Sequence, residues 1–262
     1  MITKVPIYQI DAFSNGPFTG NPAAVCPLEK WLPEDVLQSI AEENNLAETA
    51  FFVNESDGFR IRWFTPTTEV KLCGHATLAT GFVLFNELGY NQQTINFNCL
   101  SGSISVTKSN DLLTLDFPID NLSPCDCPER LIKSLDTSPM SCYKGASDYL
   151  LIFENQKDIE RLSPNFGMMS EVKSRGCIVS AKGEDFDVVC RGFFPQSGIN
   201  EDPATGSAQT TLASYWKDHL SENKFSSCQL SKRKGFFNTE IKGNRVLISG
   251  KCRMYMRGKL EV

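Results

Sequence analysis

Two short segments of this 262-residue chain have the residue types to hold an anion. Cys73-Gly74-His75 and Thr205-Gly206-Ser207 each stand at the head of a run with helical character. A helix that starts there presents backbone N–H groups and the positive end of its dipole. Glycine in the first turn permits close approach of a ligand to the backbone. If the two starts converge on one cleft, their N–H groups and dipoles would together hold a small carboxylate. A carboxylate held in this way helps the neighbouring carbon lose a proton. Proton transfer at carbon without a cofactor then needs an acid and a base nearby.

The approaches to the two segments are also alike. Arg62-x-Phe64-x-Pro66 leads into Glu69 and then Cys73-Gly74-x-Ala76, and half a chain further on Arg191-x-Phe193-x-Pro195 leads into Glu201 and then Thr205-Gly206-x-Ala208. A motif repeated in the same order at half-length points to two related halves. We therefore divide the chain into a domain over 1–120, a linker over 121–130 carrying Pro124 and Pro128, and a domain over 131–262.

The elements that must position these segments are legible from periodicity. From Ala76 to Leu88 small and apolar residues occupy nearly every face, with charge only at Glu87, so this helix must be surrounded by protein. Gly206 to Leu220 is its counterpart, less uniformly apolar. Leu32 to Asn44 carries Val36, Leu37 and Ile40 on one face and is expected to pack on a sheet. Alternating or continuously apolar runs predict strands over Tyr8–Phe13, Ala23–Val25, Phe59–Phe64, Thr94–Asn98, Ser103–Thr107 and Leu112–Phe117 in the first half. In the second half they fall over Asp148–Phe153, Gly176–Ser180, Phe186–Phe194, Gln229–Leu230, Gly235–Ile241 and Val246–Ser249. Asn45 to Val53 turns from a helix into an apolar strand with Glu48 at the junction. Few helices among many strands give an α+β class, not an alternating parallel sheet.

Composition limits the function. Hydrophobic content of 41% with 22% charge is that of a soluble globular protein, and a net charge of −5 with scattered basic residues excludes nucleic acid or an anionic membrane as the expected partner. Lys232-Arg233-Lys234 fits a solvated turn. No secretory leader or run of 18 apolar residues occurs, which places the chain in the cytoplasm. Ten cysteines are then reduced thiols, and Cys125-x-Cys127, their only close pair, lacks the two further ligands of structural zinc. With His75 and His219 the only histidines, no metal centre is expected, and no glycine-rich phosphate loop is present.

Five segments carry a family resemblance: Gly20-Asn21-Pro22-Ala23-Ala24-Val25, Asn45-Leu46-Ala47-Glu48-Thr49-Ala50-Phe51, Arg62-Trp63-Phe64-Thr65-Pro66, Leu72-Cys73-Gly74-His75-Ala76-Thr77, and Asn200-Glu201-Asp202-Pro203-Ala204-Thr205-Gly206-Ser207-Ala208. Together they resemble the phenazine-biosynthesis PhzF-like isomerases. The resemblance implies the diaminopimelate epimerase-like fold, two similar domains that each wrap a barrel-like, mostly antiparallel sheet around a central helix, with the active site between them. It also implies a homodimer, a small carboxylate substrate and no cofactor. By its motifs the catalytic glutamate falls on Glu48, which would need partial desolvation to carry a proton between substrate carbons. His75 and Asp202 match the polar residues that assist, Gly74, Gly206 and Ser207 the carboxylate-binding helix starts, and Asn21 a residue lining the cleft.

Residue type alone leaves other roles open. Glu48 would be a surface carboxylate at a helix-to-strand junction, His75 a helix-start histidine satisfied by backbone, and Asp202 a turn or N-cap aspartate. Epimerases and racemases of the same fold resemble this chain but use two opposing thiols. Here Cys73 holds the first thiol position and Thr205 the second. A threonine hydroxyl is too weakly acidic for that partnership, which leaves Cys73 as a small buried residue or a reactive one. A non-catalytic relative that binds a metabolite or a protein is the third reading.

Overall fold

The computed structural model describes residues 3–262, which divide into two compact units, 3–116 with 249–262 and 117–248. The first unit contains β1 (Lys4–Ala12), β2 (Asn21–Pro27), α1 (Glu34–Asn44), β3 (Glu48–Glu55), β4 (Gly58–Phe64), the short β5 (Glu69–Val70), α2 (Gly74–Asn86), β6 (Thr94–Cys99), β7 (Gly102–Ser109) and most of β8 (Leu112–Pro118). The second contains β9 (Ser123–Pro124), α3 (Glu129–Leu135), β10 (Ser141–Lys144), β11 (Asp148–Ile152), α4 (Gln156–Glu160), α5 (Phe166–Ser170), β12 (Gly176–Lys182), β13 (Val188–Phe193), α6 (Gly206–Trp216), β14 (Lys224–Gln229), β15 (Gly235–Lys242) and most of β16 (Arg245–Gly250). The last strand, β17 (Cys252–Glu261), returns to the first unit.

Pairing follows one scheme in both units. In the first, β2 runs parallel to β3, β3 antiparallel to β4, β4 parallel to β6 and β6 antiparallel to β7. In the second, β11 with β12, β12 with β13, β13 with β14 and β14 with β15 repeat that alternation in the same order. Two such sequences of parallel and antiparallel pairings are the structural counterpart of the repeated motif.

The motif itself is a clamp. Arg62 on β4 donates from Nε and Nη2 to the two carboxylate oxygens of Glu69 at 2.8 and 2.7 Å, and Arg191 on β13 donates likewise to Glu201 at 2.7 and 3.0 Å. Each guanidinium also lies over the phenylalanine two residues on, 5.1 Å from the Phe64 ring and 5.0 Å from that of Phe193. Paired nitrogens and oxygens fix direction as well as distance, so the loop entering each central helix leaves its strand in a set orientation. The repeated arginines and glutamates are therefore scaffold.

Inside the first unit α2 packs against β1, β2, β3, β7 and β17, and Ala76, Leu78, Ala79, Val83 and Leu84 are buried. Thr77 and Thr80 face the same dry interior because their hydroxyls donate to the carbonyls of Cys73 and Ala76 at 2.6 and 2.8 Å. Gly81 brings the helix onto β7: a Cβ there would stand 2.8 Å from Val106 Cγ1. Gly20, at φ 79° with no room for a side chain beside the Ala12 carbonyl, makes the turn that delivers Asn21. In the second unit α6 buries Gln209, whose Oε1 accepts from Ser227 Oγ at 2.7 Å, and Trp216, whose Nε1 donates to Ser180 Oγ at 3.0 Å. Those polar partners explain why its sequence is less uniformly apolar.

The domain division differs from the sequence expectation in two places. Residues 121–130 are not a linker: they lie within the second unit, with Pro124 on the two-residue β9 and Pro128 as the N-cap of α3. Both prolines sit where a missing N–H costs nothing, an edge and a helix start. β17 belongs to the first unit because it pairs antiparallel with β1 from Lys4↔Glu261 to Ala12↔Cys252. Its mixed polar sequence, with exposed residues on both faces, hides a strand that backbone pairing makes plain.

Gly81→Val should lower stability by about 1–3 kcal/mol, the usual cost of inserting methyl groups into a filled interior. Urea unfolding checks this, and an unchanged midpoint would mean that α2 and β7 have slack.

Candidate active site

Four side chains of the first unit meet at the start of α2. Glu48 is the first residue of β3, where parallel pairing sets it beside Ala23 of β2. Asn21 opens β2, and Cys73 is the N-cap of α2 in extended conformation, φ −144° and ψ 110°. Two residues later His75 points its ring among them. Its Nε2 lies 3.2 Å from Glu48 Oε2, and its Nδ1 lies 3.4 Å from Asn21 Nδ2 and 3.5 Å from Cys73 Sγ. The Glu48 contact is close without the alignment of a full hydrogen bond. Neither histidine nor glutamate is on the surface, with side chains 8% and 14% exposed.

Burial decides the state of His75. Desolvation pushes its pKa from the ordinary 6.5 down to about 3, so the ring is neutral across the physiological range. A neutral ring has one N–H. With Glu48 ionised, the contacts agree when Nε2 carries the hydrogen toward the carboxylate and Nδ1 accepts from the Asn21 amide. Asn21 then fixes the tautomer. A group arranged in this way can hold a proton on Glu48 or donate to an oxygen or nitrogen placed beside Nε2.

No side chain caps the start of α2, so the first-turn N–H groups at Gly74 are not satisfied by the N-cap residue. The same is true of α6, whose N-cap is Thr205, φ −101° and ψ 100°. Thr205 Oγ1 instead donates to Asp202 Oδ2, and Asp202 is buried. Gln229 on β14 holds this turn from below: its Oε1 accepts from the Thr205 N–H at 2.8 Å, and its Nε2 donates to the Asp202 carbonyl at 2.6 Å and to Thr205 Oγ1 at 3.1 Å. Ser207, in the first turn, accepts from Arg175 Nη1 at 3.1 Å, and Arg175 is paired through Nε and Nη2 with the buried Asp148.

The structure thus joins Glu48, His75 and Asn21 in the first unit with Gly74 at the adjoining helix start, and Asp202, Gly206 and Ser207 around the start of α6 in the second. The surface alternative for Glu48 fails on burial. Asp202 is a turn aspartate as residue type allowed, but its carboxylate serves the N-cap threonine and is not itself the cap. Gln229, Arg175 and Asp148 were missed. All three act from other strands or loops, and no short motif connects them to the residues they hold.

A metal ion has one conceivable seat among the described residues. Ligand atoms of Glu48, Cys73 and His75 lie within 4.8 Å of one another, and a neutral imidazole is the ligand-competent form. Three ligands of this kind suit zinc with an open fourth position, but the same contacts are accounted for by the proton chemistry of Glu48 and His75.

The chain matches the model of a family described as phenazine biosynthesis-like protein over residues 10–258. It is 45% identical over 259 residues to an uncharacterized isomerase of Pseudomonas aeruginosa, an alignment that covers 99% of this chain and all of the relative. The crystal structure of a PhzF family phenazine biosynthesis protein from Enterococcus faecalis superimposes with a TM-score of 0.96 at 41% identity, covering 99% of this chain and all of that one. A hydroxyproline epimerase from Agrobacterium vitis shares the fold alone, with a TM-score of 0.63 at 9% identity over 99% of this chain and 93% of its own.

Stability should carry the signature of the buried ring. The folded pKa lies below the unfolded one, so below pH 6.5 the unfolded chain binds a proton that the folded chain refuses. Folding stability from this group is therefore whole above pH 6.5 and falls by about 1.4 kcal/mol for each pH unit below it, toward the folded pKa. Urea unfolding between pH 7 and pH 4 should show this loss and His75→Gln should reduce it; equal slopes in both proteins would show that folding leaves the His75 pKa at its ordinary value.

Proposed function

The chain belongs to the phenazine biosynthesis-like family, and from that membership we propose that it is an isomerase that moves a proton between carbons of a small unsaturated amino or hydroxy carboxylic acid, with Glu48 as the acid/base. The observation that carries the reading is the buried contact of Glu48 with a neutral His75. A carboxylate that is 14% exposed is shielded from bulk water without losing access to a ligand. It takes the proton from one carbon and returns it to another, and the substrate carboxylate rests on helix N–H groups that stabilise the charge left behind. His75, neutral and held by Asn21, donates to the substrate hydroxyl or amino group. By the family resemblance Asp202, Gly206 and Ser207 are assigned as substrate-binding groups of the second unit, with Asp202 assisting proton transfer. Gln229 and Arg175 keep that turn in shape.

No metal or organic cofactor is required, since both proton transfers use side chains already present. The chain acts in the cytoplasm in this reading, in keeping with ten thiols none of which is in a disulfide. No helix among the described residues is long and apolar enough to cross a membrane. A homodimer is the assembly we assign. Its support is an exposed apolar surface on the first unit, where Phe18 and Tyr255 lie edge to face with centroids 6.5 Å apart.

The two-thiol epimerase reading is disfavoured by a specific contact. The Thr205 hydroxyl donates its hydrogen to Asp202 and its oxygen accepts from Gln229, so it is committed to the turn and offers no second base.

Incubation in heavy water with a panel of small unsaturated amino and hydroxy acids should show deuterium entering one compound class. Glu48→Gln should slow that exchange by roughly 10²- to 10⁴-fold with an unchanged circular dichroism spectrum, the usual contribution of a positioned acid/base. Retained exchange in a folded variant would remove Glu48 from the chemistry. Chelators should leave the rate unchanged; loss on chelation with recovery on adding zinc would make the Glu48, Cys73 and His75 group a metal site.

A further inference from the structure

Outside this site, a group of thiols lies on the second unit, two of them in the stretch read from sequence as a linker. β9 and β10 pair antiparallel with Pro124 opposite Tyr143, and the next N–H, that of Cys125, donates to the Cys142 carbonyl at 3.0 Å. Two cysteines therefore stand side by side on neighbouring strands, with Sγ atoms 3.7 Å apart. Cys127, two residues on, is near enough to the same Cys142 thiol for the two to shift each other's acidity. Cys142 is buried in the core cluster that holds Leu131, Leu135 and Leu151, while Cys125 and Cys127 pack against that cluster half-buried and open to small solutes.

We propose that Cys125, Cys127 and Cys142 form an oxidant-reactive thiol site that takes small hydroperoxides, with Cys127 as the attacking sulfur and Cys142 as the one that closes the disulfide. The three sulfurs are not equivalent. The hydrogen bond from Cys142 favours the charged form of Cys127 and draws its pKa below the ordinary thiol value, whereas Cys142 is pushed above it by that same interaction and by burial. The thiolate is the nucleophile, so attack begins at Cys127. Its sulfur displaces hydroxide from hydrogen peroxide, the O–O bond breaks, a proton is taken up, and Cys127 sulfenic acid and water result. The Cys142 sulfur then attacks the sulfenic sulfur, the S–O bond breaks, and the hydroxyl leaves with the Cys142 proton as a second water. Two thiols have been oxidised by two electrons and one peroxide reduced to two waters. Cys125, in contact with the Cys142 sulfur, can afterwards take over the bridge by exchange and release Cys127 as a thiol. For the Cys125–Cys142 bridge, an S–S bond of about 2.0 Å requires the two sulfurs to close a gap that is already van der Waals contact.

The test is peroxide treatment of the intact native protein, alkylation of remaining thiols, and mass spectrometry of a tryptic digest without reduction. The expected product joins the peptide carrying Cys125 and Cys127 to the peptide carrying Cys142, and dithiothreitol releases it. Cys127→Ser should slow its formation roughly tenfold, in line with loss of the thiolate-rich sulfur, while Cys125→Ser leaves the rate near that of the unaltered chain. Cys142→Ser should abolish the link and leave Cys127 overoxidised to the sulfinic acid. The rate in the unaltered protein should also fall in urea, a comparison that does not depend on any variant folding. No crosslink, a crosslink as fast in urea as in buffer, or slowing by Cys125→Ser and not by Cys127→Ser would each overturn the proposal. So would protein that resists peroxide until zinc is stripped from it.

Discussion

A helix apolar on every face cannot remain in water, and the burial of α2 is the constraint on which the first unit depends. Five strands pack around it, and its first turn is thereby carried into the interior along with the rest. Backbone N–H groups, Cys73 and His75 are dragged out of bulk solvent by the hydrophobic residues that follow them. The consequence is electrostatic. His75 loses its charge, the glutamate beside it is shielded from water, and polar interactions at the helix start are strengthened by the dry surroundings. Packing and chemistry are thus two effects of one placement.

The second unit repeats the pairing scheme and the arginine clamp but spends its polar residues differently. In the first unit the residues at the helix start converge on an imidazole; in the second they converge on a turn in which Thr205, Asp202 and Gln229 satisfy one another. Duplication kept the frame and let the sites diverge.

Legibility in the sequence followed the range of the interactions. The central helices and the strands flanking them could be anticipated because apolar periodicity is a local signal, whereas Asn21, Glu48 and His75, which the fold brings together, were named as site residues only through the family resemblance of their motifs. The repeat was visible since Arg62 and Glu69 are close in sequence and Arg191 and Glu201 nearly so. What escaped was long-range. β17 meets β1 across almost the whole chain, Gln229 reaches Asp202 from a distant strand, and Arg175 reaches Ser207 from a loop. Pro124 and Pro128 misled for a physical reason, because proline marks a linker, a sheet edge and a helix start alike. Cys142, which turns the Cys125 and Cys127 pair into a cluster, is likewise brought in only by strand pairing.

The central claim is that Glu48, against a neutral His75, touches the carbon that loses its proton. The most direct measurement is a crystal structure of the Glu48→Gln protein with the exchange-competent acid bound, since a slowed variant holds its substrate intact. The account predicts the labile carbon within about 3.5 Å of the side chain at position 48, close to the reach required of a general base. It also predicts the substrate carboxylate against the N–H groups at Gly74. A substrate seated with its labile carbon remote from position 48 would contradict it.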